Sequence, residues 1–192
     1  MFKTTTKADV TAAKNAGTAT ITNDTTASQL QSAKEKAAAN SVIDDAAAKA
    51  VIDDLMPLSG KEDREAQVDK DAVAAKAAIA KATNKSGIDT AQNVGTDALN
   101  TNVDAAQLKS QKEAADADLA KYGQSTKATI QKLPDLTPDQ VTKANGNIDD
   151  AVKNGQNQID AATDANGVTT GLNNGKAAID KIAADAASGS GC

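Results

Sequence analysis

A repeat of 78 to 80 residues constrains this chain more than any other feature. Thr26-Ala-Ser-Gln-Leu30 with Lys34-Glu35 returns as Asp104-Ala-Ala-Gln-Leu108 with Lys112-Glu113, 78 positions later. Val10, Gly17 and Ile21 return at the same spacing as Ile88, Gly95 and Leu99, and 80 positions further on as Val168, Gly175 and Ile179. Val68, Ile79 and Thr83 match Ile148, Ile159 and Thr163 at 80, and Pro57 matches Pro134 at 77. Matching in one segment arises easily by chance. Matching in three segments, with the spacing changing only around the prolines, does not. Self-similarity at such a period marks stacked supersecondary units. The chain therefore divides into a partial repeat, 1–25 (the last helix of a preceding unit), a three-helix repeat, 26–103, a second three-helix repeat, 104–187, and a tail, 188–192.

Within each full repeat the first helix is expected to begin at Thr26 or Asp104, both good N-cap residues. It runs through Ala-rich, helix-forming sequence to Leu55 or Leu133. Pro57 and Pro134 stop it, because the ring removes a donor and clashes in a helix interior. Thr137-Pro138-Asp139-Gln140 then has the form of a helix start, with Pro at the first position and a capping-box Gln at the third. The second helix carries a seam at Val141, Asn145, Ile148, Val152, Gly155, Ile159 and Ala162, or at Val68, Ala72, Ala75, Ile79 and Ala82. Spacings of three and four put these on one stripe. The helix closes at Ala82-Thr83-Asn84 or Ala162-Thr163-Asp164, which also cap the third helix. Its seam is Val168, Leu172, Gly175, Ile179 and Ile182, echoed by Ile88, Ala91, Gly95 and Leu99 and by Val10, Ala13, Gly17 and Ile21. Glycine inside a helix costs about 0.5–1 kcal/mol relative to alanine. Gly17, Gly95 and Gly175 recur at one repeat position, so close approach of a neighbouring helix is expected there.

Composition decides how such helices can be closed. Leu, Ile, Val and Phe number 30 of 192 residues, against 42 Ala. That is below the roughly 20% that marks a packed globular core. The chain is either disordered or a set of slender helices closed by small side chains. A net charge of −5 is low for a disordered chain of this hydrophobicity, and the periodic seams favour helices. The junctions Thr22-Asn-Asp-Thr25 and Thr101-Asn-Val-Asp104 contain no Gly or Pro. The expected fold is all-α: tandem three-helix-bundle repeats forming an elongated rod, joined by short stiff or helical junctions. Grouping the first, second and third helices of one repeat is one way to form the bundle. The rival uses the partial helix that precedes it.

The same composition excludes functions. No His is present, so no histidine base exists. The lone cysteine, Cys192, follows Ser188-Gly-Ser-Gly191 and reads as an added handle for labelling or immobilisation. Met1 reads as the start of a fragment. No basic stripe or aromatic platform suits nucleic acid, and no apolar run reaches the 18 or more residues of a membrane span. Asp44-Asp45, Asp53-Asp54 and Asp149-Asp150 lack calcium-loop spacing and read as solvated helix faces. No metal, cofactor or catalytic residue is expected. Leu133-Pro-Asp-Leu-Thr137 departs from a sortase signal, with Pro138 where Gly is needed, and reads as loop and cap. Asn23-Asp-Thr25 and Asn84-Lys-Ser86 match glycosylation sequons and read as cap chemistry. Tyr122, the one internal aromatic, is expected to fill the bundle beside Gly123, and Arg64 to sit at the surface near the second helix's start. The Asn-Gly pairs at Asn145, Asn154, Asn166 and Asn174 would signal hairpins in a β protein; here they fall within helical heptads.

Thr5-Thr-Lys-Ala-Asp-Val-Thr-Ala-Ala-Lys14, Ala82-Thr-Asn-Lys-Ser-Gly-Ile-Asp-Thr-Ala91 and Ala161-Ala-Thr-Asp-Ala-Asn-Gly-Val168 resemble a recurring phrase of a known repeat family. That family is the helical repeats of giant Gram-positive cell-wall surface adhesins, of the extracellular-matrix-binding-protein type. The Leu-Pro-x-Leu-Thr loop, Leu133 to Thr137, is similar too, while Pro57-Leu-Ser-Gly-Lys61 departs from it. The resemblance spans residues 1–187. It implies a three-helix-bundle repeat within an extracellular, wall-attached fibrous adhesin, with spacer and adhesion roles and no catalytic residue. The expected function is a structural stalk that projects adhesive regions from the cell. The expected partners are neighbouring repeats of the same chain, in a monomer without nucleic acid or membrane insertion. The alternative is that the repeats themselves bind a host matrix or serum protein.

Overall fold

A computed structural model describes residues 7–55 and 60–189; within them, side chains are described at all positions but 7–13, 21–25, 42, 43 and 55. Every described element is an α-helix: α1 (Lys7–Leu55), α2 (Lys61–Lys81), α3 (Lys85–Ile130), α4 (Pro138–Ala161) and α5 (Ala165–Ala187). The chain divides into two compact units, Met1–Val103 and Asp104–Cys192. Residues 85–103 of α3 thus belong to the first unit and residues 104–130 to the second.

Three helical segments enclose the core of the second unit. Ala115, Leu119 and Ile130 come from α3, Ala144, Ile148, Ala151 and Ile159 from α4, and Val168, Ile179 and Ala186 from α5. Leu108, Tyr122, Val152, Leu172 and Ile182 flank it, half-buried. The deepest line on α4 is therefore Ala144, Ile148, Ala151, Gly155 and Ile159. The seam read from the sequence lies slightly to one side, since Val141, Asn145 and Val152 are only half-buried. Along that line Ala144, Ala151 and Gly155 let the helix axes come close, while Ile148 and Ile159, both fully buried, fill the interior between them.

The first unit draws on the equivalent segments. Ala37 of α1, Ile79 of α2 and Ile88 of α3 form a core with Leu30, Ala33, Ala82 and Ala91 packed against it. Ile52, Val68, Ala72, Ala75 and Leu99 are also buried. Two polar residues share this interior, Ser41 and Asn102, at 5% and 6% exposure.

Two expectations about helix ends fail. Thr26 and Asp104 do not begin helices; both lie inside continuous helix, in α1 and α3. Neither junction has a Gly or Pro to interrupt the backbone ladder, and an N-cap residue ends nothing when the preceding turn is already helical. The helix expected to reach Leu133 stops at Ile130. Pro134 accounts for this, since a proline ring crowds the carbonyl four residues before it, here that of Ile130. The chain leaves through tight bonds, Lys132 N to Thr129 O (3.1 Å) and Leu133 N to Ile130 O (3.0 Å).

Candidate functional site

The glycines define the closest packing. A Cβ on Gly95 would stand 2.5 Å from the Ala75 Cβ, and one on Gly175 would stand 2.8 Å from Leu119 Cδ2. Gly155 and Gly171, not singled out by the repeat, are as tight. A Cβ on Gly155 would lie 2.5 Å from Leu119 and 3.1 Å from the Gly175 Cα, and one on Gly171 would lie 2.9 Å from the Ile159 backbone nitrogen. Spacings of Gly171, Gly175 and Ile179 along α5 were the available signal. Gly17 departs from the expectation, with nothing within 4 Å of a Cβ there. Residues 14–20 are exposed, and among the described residues nothing reaches the glycine.

Helix ends obey the cap chemistry at three places. Thr137 caps α4, its side chain accepting from the Gln140 N–H while the Gln140 side chain accepts from the Thr137 N–H (2.9 Å), with Pro138 in the first turn. Asn84 Oδ1 accepts from the Gly87 N–H (2.8 Å), and its repeat-equivalent Asp164 Oδ1 accepts from the Gly167 N–H (2.7 Å). Such caps stabilise a helix by about 1 kcal/mol each. α2 opens instead on Gly60, whose φ of 79° is a conformation that glycine adopts without strain. Pro134 sits in the α3–α4 turn. Pro57 and Cys192 lie outside the described residues.

Charged side chains recur at the repeat spacing as well. Lys34 Nζ donates to the Ala80 carbonyl (2.8 Å), and Lys112 Nζ to the Asp160 carbonyl (2.7 Å). Each lysine thereby supplies a donor to the carbonyl-rich end of a neighbouring helix. Lys49 pairs with Asp69, and Lys127 with Asp149. The Asp53–Lys61 pair near the start of α2 lowers the carboxyl pKa of Asp53 and raises that of Lys61, each through their mutual hydrogen bond. Exposed pairs of this kind are screened by solvent and contribute little to stability. Asp44 accepts from the Thr96 hydroxyl (3.1 Å). Among the described residues no group of three His, Cys, Asp or Glu could hold a metal ion.

Tyr122 lies beside Gly123 at the edge of the second core, and its hydroxyl donates to Asp180. That hydrogen bond, with some burial, raises the phenol pKa. Lys176 Nζ stands 5.4 Å over the ring and pairs with Asp118 (2.6 Å). The carboxyl pKa of Asp116 is pushed upward, by desolvation first and by Asp160 second, and its Oδ1 is buried without a hydrogen-bond partner.

A groove of about 820 Å³ lies between α2 and α3 of the first unit. Ala74, Ala78, Ala91, Val94 and Ala98 line it, with Asp71 and Lys81 at its edge. Val94 is 64% exposed there. The matching face of the second unit carries Asn154, Gln158 and Asn174, and Asn174 Nδ2 donates to Gln158 Oε1 (2.8 Å). Sequence reading missed the groove because alanines on a helix look alike wherever they face.

Residues 111–187 match the model of a family described as Domain of Unknown Function DUF1542, a repeat domain found in Gram-positive surface proteins, the extracellular-matrix-binding type among them. No curated protein and no solved structure matches the chain. Among the described residues no helix is long and apolar enough to cross a membrane.

Proposed function

We propose that this chain is a length of structural stalk, tandem three-helix bundles that form an elongated rod in an extracellular, wall-anchored adhesin and hold adhesive regions away from the cell. One observation carries this reading: the two units rebuild the same interactions at one spacing, Lys34 and Lys112 on a neighbouring helix end, Lys49–Asp69 and Lys127–Asp149, Asn84 and Asp164 as caps. Units that share one framework in tandem are the building blocks of quasi-one-dimensional repeat proteins. The helical backbone across residues 101–106 supports a stiff junction. The matched surface-protein repeat family supports the setting. In this reading the chain is a monomer, its partners are neighbouring repeats, and it is not an enzyme. Small-angle scattering should give an elongated monomer; a compact, near-spherical particle overturns the proposal.

The α2–α3 groove favours a second reading, in which the first unit itself grips a host matrix or serum protein. Saturable binding to one such protein, abolished by Val94→Asp, is the expected result under that reading.

A further inference from the structure

The two units share a framework, but their interiors differ in matched sets. Leu119 of the second unit fills the space left by Gly155 and Gly175, within 3 Å of where either glycine's Cβ would stand. The equivalent positions of the first unit hold Ser41, Ala75 and Gly95, all buried. A smaller side chain on the first segment goes with a larger one on the second. Gly123 leaves room for Val152, whose Cγ2 is 2.6 Å from its would-be Cβ; the equivalents are Asp45 and Ala72. Here the exchange runs the other way, large for small. A third set exchanges chemistry. Asn102 Nδ2 donates to Asp71 Oδ2 (2.8 Å) in the first unit, where the second has Ile182 and Ala151. A fourth replaces the Thr96–Asp44 hydrogen bond with Lys176 over the Tyr122 ring.

We infer that these sets are a pairing code: each unit's helices accept one another and reject the repeat-equivalent helices of the other unit. The rejection is physical. Placed against α4 and α5, residues 26–55 would leave the Leu119 space empty at Ser41 and would set the Asp45 carboxylate against Val152. Placed against α2, residues 104–130 would drive Leu119 onto Ala75; and α5 placed there would set Ile182 where Asn102 stands, so that Asp71 Oδ2 loses the Asn102 donor and keeps only the Gln67 bond on Oδ1. Voids, overlaps and unpaired buried polar groups each disfavour the wrong pairing. Similar repeats on one chain, or on two copies of it, otherwise exchange helices readily. Discrimination by mismatch against wrong partners is the general route to specificity when the right contacts are alike.

The test erases the code in the full chain. Ser41→Leu, Asp44→Tyr, Asp45→Gly, Asp71→Ala, Ala72→Val, Ala75→Gly, Thr96→Lys and Asn102→Ile together give the first unit all four sets of the second. Wild type and this variant are unfolded in guanidinium and refolded over a hundredfold range of concentration. Wild type should return to its starting hydrodynamic size throughout. The variant should lose at least half of that recovery as concentration rises, into larger species. Equal recovery at every concentration overturns the inference. Should the variant not fold, a cycle within the second unit decides, read as the urea midpoint of the α4 amides by hydrogen exchange. Gly155→Ala should lower the midpoint when Leu119 is present and raise it in the Leu119→Ser background. The same sign in both backgrounds overturns the inference.

Discussion

Glycines at Gly146 and Gly175 both sit inside helices, yet their environments are opposite. Nothing lies within 4 Å of a Cβ on Gly146, whereas one on Gly175 meets both Leu119 methyls inside 3 Å. Gly146→Ala should therefore stabilise by about 0.5–1 kcal/mol through reduced backbone freedom in the unfolded chain. Gly175→Ala should destabilise by about 1–3 kcal/mol through overpacking. Urea unfolding followed by circular dichroism distinguishes the two. Asp116 gives a test with a pH signature. Its raised pKa means that the folded state prefers the neutral acid, so its favourable contribution exists below the ordinary carboxylate pKa and is lost as pH rises through the folded value. Asp116→Ala, the residue's own counterpart at Ala38, should raise the melting temperature at neutral pH and lose that gain in acid. At this scale the sequence was legible where a residue type has one use. Thr137 and Gln140 could be read as a capping box because the pattern needs four adjacent residues and nothing else. Gly17 could not be told from Gly95, because closeness depends on a helix that the local sequence does not contain.

Elements were legible where something stops them. Pro134, Asn84 and Asp164 set boundaries by rules of backbone chemistry, and the ends of α4 and the start of α5 follow from them. Thr26 and Asp104 misled for the converse reason. A residue that can cap does so only if the turn before it is broken, and no residue in 22–25 or 101–104 breaks it. The continuity of α3 makes a direct prediction. Amides of residues 101–104 should exchange slowly, like those of residues 95–99, and Val103→Pro should destabilise by about 3 kcal/mol or more, because it removes a ladder hydrogen bond and crowds the carbonyl of Leu99. Hydrogen exchange with mass spectrometry reads both; fast exchange at 101–104 in wild type would contradict a continuous helix.

For the molecule as a whole, the repeat gave away the division into similar units but not their inequality. Ser41 and Asn102, the polar residues buried among those described, both belong to the first unit, while the second places Leu119 and Ile182 at those positions. Apolar burial stabilises by roughly 25 cal/mol per Å², and buried polar groups only recover their desolvation. The first unit should thus open at lower denaturant than the second. In a hydrogen-exchange series in urea, amides of α2 should lose protection before those of α4; simultaneous loss would show that the two interiors are equally stable. This asymmetry escaped the sequence because the repeat aligns positions by similarity, and the differences that matter are the mismatches it passes over.

Tyr122 has a practical consequence. The chain has one tyrosine and no tryptophan, and that phenol touches Asp180 and Lys176 only while α3 and α5 of the second unit are packed. Its near-ultraviolet absorbance and emission therefore form a single-site optical gauge of one unit, and the other is dark at the same wavelength. A carboxylate acceptor on the hydroxyl quenches emission in the folded state, so brightening on denaturation times the second unit alone, and the first is obtained by subtraction from the helical signal.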